Sequence, residues 1–197
     1  MQSVSGLAPP LPKSYWSVMD LTVRGLMSMS YCPNCGGKVD ETDVFCRRCG
    51  FNMAHLRASL NRIEESVRAV IMERIDGIKR RDAEAIRKIV DEEYYTKFDD
   101  WPPFERQGMD GLRREAEALK VLKEYNYEIS DLRIDILGGD VALASFIIRY
   151  RGRIRSLDFN VRSRVTMVLL KREGGWRLVH EHWSRIPEGG GWRGRLL

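Results

Sequence analysis

From residue 56 onward, apolar side chains recur at spacings of three and four: Leu56, Leu60, Ile63, Val67, Val70, Ile71, Ile75 and Ile78. That period gathers them into one stripe of a long helix. Glu64, Arg68, Glu73, Lys79 and Arg80 decorate its other side, and Lys79, Arg80 and Arg81 crowd the C-terminal end, where cations suit the helix dipole. Asp82 is placed to cap a second, short helix through Val90, with Ala85, Ile86 and Val90 facing inward. A third helix is predicted from Asp110 to Lys123 on Leu112, Ala116, Leu119 and Leu122. Beyond it the period changes to two. Tyr125–Leu137, Val141–Arg151, Leu157–Lys171 and Trp176–Ser184 are β-type runs, with Gly138-Gly139-Asp140 and Glu173-Gly174-Gly175 turning the first and last pairs. The pattern leaves the middle connection, around Gly152, open. Three helices followed by a meander of long strands predict an α+β domain, in which a curved antiparallel sheet packs on the helices.

Composition divides the chain further. Residues 1–30 hold Pro9, Pro10 and Pro12 among scattered apolar residues and read as an irregular leader. Met27 and Met29, just before the cysteines, are candidate translation starts beside Met1. Residues 31–53 contain all four cysteines, 54–186 form the main domain, and 187–197, opening Pro-Glu-Gly-Gly-Gly, read as a flexible tail. At 43% hydrophobic and 31% charged residues, a packed domain is expected. No run reaches the ~18 apolar residues of a membrane span, so no membrane association and a cytoplasmic location are expected. The net charge of +5 is spread over the leader, the main domain and the tail, with the cysteine segment neutral. No segment carries a dense basic stripe, which ranks nucleic acid last among partners.

The cysteines carry the sharpest chemistry. Cys32-Pro-Asn-Cys35 and Cys46-Arg-Arg-Cys49 are separated by ten residues. Two residues between cysteines let both sulfurs turn toward one point, and Gly36 and Gly50 follow where the chain folds back with positive φ. Four thiolates close a tetrahedral site, so one structural zinc ion is predicted, with iron in a rubredoxin-like site as the rival. Phe45 and Phe51 are expected to cover it. A segment this short has almost no core, and the metal supplies most of its folding energy. The stretch resembles the short zinc-ribbon modules found at the ends of many archaeal and bacterial proteins, which implies a stabilising or protein-docking role.

A second resemblance rests on Lys171-Arg-Glu-Gly-Gly-Trp-Arg-Leu-Val-His-Glu-His-Trp-Ser184, on Arg164-Val165-Thr166, and on Arg81-Asp82-Ala-Glu-Ala-Ile86 upstream. Over about residues 60–186 the chain is similar to the SnoaL-like group of the nuclear transport factor 2 superfamily, and to the association domain of calcium/calmodulin-dependent protein kinase II. The resemblance implies a cone with a pocket at its open end, on a fold that hosts enzymes, binders and oligomerisation hubs alike. The residues themselves offer an aromatic loop, Tyr94, Tyr95, Phe98, Trp101 and Phe104, to line or lid such a pocket. Period-two alternation on the last strand puts Trp176, Leu178, His180 and His182 on one face, with Arg164 on the neighbouring strand. If that face is the concave one, the pocket set is Tyr95, Phe98, Trp101, Phe104, Arg164, His180 and His182. Its proton-transfer and carboxylate-holding candidates are then His180, His182 and Arg164. The alternative is that the rings close the wide end of the core and the histidines are ordinary strand residues.

Three functional readings follow. The favoured one is a zinc-binding, homodimeric or higher-oligomeric binding or scaffold protein. The second is a cofactor-independent isomerase, cyclase or hydratase acting on a small apolar or carboxylate ligand. The third is a nucleic-acid-associated zinc-ribbon protein.

Overall fold

A computed structural model describes residues 30–187. The expected leader, apart from Ser30, and most of the expected tail lie outside these residues. Three helices form where the apolar periods place them: α1 over Met53–Arg80, α2 over Ala83–Ile89 and α3 over Met109–Val121. Helix α1 starts ahead of its apolar stripe because the Asn52 side chain accepts from the His55 backbone N–H at 2.8 Å. It stops at Arg81, which turns left-handed at φ 61 and donates its N–H back to the Gly77 and Ile78 carbonyls. Asp82 then caps α2 as expected, accepting from Ala85 N–H at 2.9 Å.

The four long strands are β3 (Leu122–Leu137), β4 (Val141–Ile154), β5 (Leu157–Arg172) and β6 (Gly175–Arg185), paired antiparallel in sequence order. Two short strands were not predicted: β1 (Thr96–Phe98) and β2 (Arg106–Gln107). At three and two residues they are too short for alternation to show. They extend the sheet to the order β2-β1-β6-β5-β4-β3, and β1 runs parallel to β6. The sheet is therefore mixed and not wholly antiparallel.

Gly152 is no turn residue: it lies inside β4, and the chain reverses at residues 155–156. A side chain at Gly152 would meet the Glu124 carbonyl oxygen at 2.1 Å and the Phe159 ring at 2.7 Å, so this crossing of β3 and β4 requires glycine.

The inner face of the sheet carries Ala142 to Tyr150 in even positions of β4 and Val161 to Leu169 in odd positions of β5, all buried. Val67, Ile71 and Ile75 of α1 pack on it without exposure. On β6 the alternation breaks. Leu169 pairs with Leu178, but Val168 pairs with His180, leaving Val179 as the surplus residue of a β-bulge. Trp176 and Leu178 point inward before the bulge. After it, Glu181 and Trp183 take the inward places.

Candidate functional site

The two Cys-x-x-Cys segments form matching knuckles. Gly36 N–H donates to the Cys32 carbonyl and Gly50 N–H to the Cys46 carbonyl, each at 2.8 Å, with φ 68 and 72 at the two glycines. All four sulfurs lie within 4.8 Å of one another, with Cys32–Cys49 at 3.6 Å and Cys35–Cys46 at 3.7 Å. Sulfurs at tetrahedral corners, each ~2.3 Å from a central ion, stand about 3.8 Å apart, so the cluster fits one metal ion. The spacing is far beyond a disulfide bond. Phe51 packs against this cluster, whereas Phe45 is 54% exposed and does not seal it.

The cysteine module is fused to the start of α1. Met53 is fully buried with Cys32, Val39 and Cys46, and Leu56 and Leu60 pack beside it. Arg57 reaches back and donates to the Asp43 and Asp40 carbonyls at 2.7 and 2.8 Å. The first two turns of the helix thus share a small core with the cysteine cluster.

The cone's interior holds a second assembly. Arg74 sits on the buried stripe of α1 with its side chain 3% exposed. Its guanidinium donates to Glu181 at 2.9–3.1 Å and to Glu115 at 2.8 and 2.9 Å. The Lys97 ammonium donates to Glu115 and to Asp99, both at 2.8 Å. Tyr95 hydroxyl and Trp183 Nε1 also donate to Glu181, the latter at 2.8 Å. Burial alone would raise both glutamates. Arg74 and Lys97 outweigh it, holding Glu181 below its ordinary pKa and bringing Glu115 to about 2. At Asp99 the balance goes the other way: burial, helped by the Glu115 charge, lifts the carboxyl above its usual range against the pull of Lys97.

This assembly forms one end of a cavity of about 310 Å³ between α3, the end of α1 and the inner sheet face. The other wall is aromatic: Trp101, Tyr125, Tyr150, Phe159 and Trp183. Asp100 is 4% exposed and accepts from the hydroxyls of Tyr150, at 2.8 Å, and Ser163. Trp101 Nε1 donates to Tyr150 Oη at 2.9 Å. Gln107 also lines the cavity. Its Oε1 accepts from Arg114 at 2.9 Å, and its buried Nε2 has no partner among the described residues.

Of the residues expected to line the pocket, Trp101 does so. Tyr95 is buried behind it, on Glu181. Phe104 is 62% exposed. Arg164, His180, His182 and Phe98 lie on the outer face. The bulge at Val179 inverts the alternation that had placed the histidines with Trp176, and Arg164 takes an even, outward position of β5. There Phe98 contacts both imidazole rings, with centroids 6.2 and 5.5 Å away, and His180 Nδ1 lies 2.9 Å from Thr96 Oγ1. The interior charges were missed, although Arg74 left a trace: it falls at helical spacing between Ile71 and Ile78, a cation inside an apolar stripe.

Residues 67–188 match the SnoaL-like domain model. The chain belongs to the SnoaL-like family. The match begins at Val67, so the cysteine module and the first half of α1 precede it.

Solved structures of the same fold include a nuclear transport factor 2-like superfamily protein of Salmonella enterica (17% identity, 68% of this chain, 98% of that one, TM-score 0.58). Another is a proposed scytalone dehydratase of Novosphingobium aromaticivorans (13%, 66% and 89%, TM-score 0.58). A third is the CaMKII hub homology domain of Chlamydomonas reinhardtii (19%, 63% and 98%, TM-score 0.53). No curated protein matches the chain. Among the described residues of this SnoaL-like protein, no helix is long and apolar enough to cross a membrane.

Two outcomes are predicted. A strong chelator should speed amide exchange across residues 31–52 and through the first two turns of α1 to Leu60, while β4 and β5 stay protected; unchanged exchange at Leu56–Leu60 would contradict the shared core. The second concerns acid. Glu115 and Glu181 have folded pKa values below their unfolded value of 4.5, so their stabilisation is complete above that pH and is lost as pH falls toward 2. Glu181→Gln should cost about 3–5 kcal/mol at pH 7, because Arg74 loses a buried partner. The gap should narrow in urea denaturation at pH 3.

Proposed function

We propose that this SnoaL-like protein is a zinc-stabilised binder of small, neutral, ring-bearing molecules. The observation that carries the ligand is the cavity itself: about 310 Å³, aromatic on one wall, with Lys97, Asp99 and Gln107 at the other. That size is at the lower edge of ordinary ligand pockets, which are mostly apolar with a few orienting polar groups. Charge favours a neutral ligand over a carboxylate. Arg74 and Lys97 are already engaged by Glu115, Glu181 and Asp99, and Asp100 adds a further carboxylate to the lining. For the ion, an all-sulfur tetrahedral set with no open position supports zinc in a structural role.

Two observations extend this reading. Asp99, with its raised pKa at the cavity wall, is suited to move a proton to or from a bound ligand, as a cofactor-independent isomerase, cyclase or hydratase requires. Self-association is supported by one end of the outer sheet face, where Val141, Leu143, Val168 and Leu170 are apolar and half-buried.

The test of the ligand reading is tryptophan fluorescence with an isosteric pair, 2-acetylnaphthalene and 2-naphthoate. Saturable quenching by the ketone, reduced in Trp183→Phe, is expected, with naphthoate at least tenfold weaker. Absence of saturable quenching by either probe would reject the pocket as a ligand site. For self-association, sedimentation should show a dimer or larger species that Leu143→Asp converts to monomer.

A further inference from the structure

No helix among the described residues covers the outer face of the sheet, and its two ends differ in chemistry. Near the β5–β6 hairpin it is apolar. Toward the β4–β5 turn it carries Arg149, Arg151, Arg162 and Arg164, all exposed. Each adjacent strand contributes an Arg-x-Arg pair, and period-two alternation sends all four guanidiniums to the same side. The register sets Arg149 directly opposite Arg162, Arg151 opposite Asn160, and Arg164 between Ile147 and Ser184.

Like charges directly opposite each other destabilise a strand pair. Compensation within the fold is partial. Glu128 faces Arg149, and Arg153, farther along, is matched by Asp158 at 2.5 Å. The side chains of Arg151, Arg162 and Arg164 have neither a hydrogen bond nor an ion pair among the described residues. Neutral donors stand between them on the same face, including Asn126, Asn160 and Ser184. Beside the cluster, exposed His182 pairs with Thr166 and carries the Phe98 ring at 5.5 Å, with Phe98 37% exposed.

We propose that this end of the sheet binds single-stranded nucleic acid, the arginines taking successive phosphates and the Phe98–His182 pair stacking a base. A polyanion is what three uncompensated guanidiniums call for, and an aromatic pair beside a basic strip is how single strands are held without sequence readout. The face is the outside of a curved sheet, so it meets a stiff duplex over only a short stretch, whereas a single strand can follow it. A second copy of the chain is disfavoured here: a two-fold contact would press the Arg149–Arg162 row against its own image.

The experiment is fluorescence anisotropy of the full chain with a short fluorescein-labelled mixed-sequence RNA. With three phosphate contacts, from Arg151, Arg162 and Arg164, affinity should fall roughly 20-fold between ~50 and ~200 mM salt. Arg162→Gln/Arg164→Gln should bind more weakly and fall only about threefold over the same range. Arg162→Lys/Arg164→Lys should keep the wild-type salt slope. Phe98→Ala should lose about tenfold in affinity with the slope unchanged. Circular dichroism should show every variant folded, since all these positions are exposed. No binding at ~50 mM salt, or an unchanged slope in the glutamine pair, would overturn the proposal. So would equal affinity for a polyglutamate peptide of matched charge, which would assign the face to an acidic protein, or preference for the duplex.

Discussion

Arg74 ties this molecule together. A guanidinium inside a cone is costly unless each of its donors is met, and here two glutamates from distant parts of the chain meet them. Glu181 arrives from the last strand and Glu115 from α3, so one side chain of α1 binds the sheet and the third helix at a single point. Lys97 extends the chain of charges to β1 and Asp99, and Tyr95 and Trp183 fill the remaining acceptor positions on Glu181. A hydrophobic contact would stabilise these elements without fixing their relative rotation. A fork of directed donors does fix it, and the cavity wall inherits that rigidity.

The cysteine module enters the same mechanical scheme from the other end of α1. Its core is small, and Met53, Leu56 and Leu60 belong at once to that core and to the helix. Arg57 adds two bonds to the carbonyls of the cysteine loop. One 28-residue helix therefore joins a sulfur site at its start to the charge assembly more than three-quarters of the way along.

The sequence was most legible where a period ran long enough to accumulate. The apolar stripe of α1, the Asp82 cap and the four long strands came through because each rests on many residues or on one side chain with a single local role. The cysteines were legible for a different reason, since their spacing is itself the geometry. Strands β1 and β2 left no period to detect. The interior charges were hidden because burial of an ion depends on partners 41 and 107 residues away. The arginine cluster on the outer face was hidden by linear counting, since its members are dispersed along two strands and meet only through register.

The bulge at Val179 works as a parity switch. A strand paired residue for residue would have turned His180 and His182 into the cone and left Glu181 in water, stripping Arg74 of one anion. The same letters would then enclose an imidazole pair instead of a carboxylate anchor. Two relatives that align perfectly through this strand but differ in one surplus residue would thus present opposite side chains to their interiors. Site roles cannot be carried across the His-x-His segment by alignment alone.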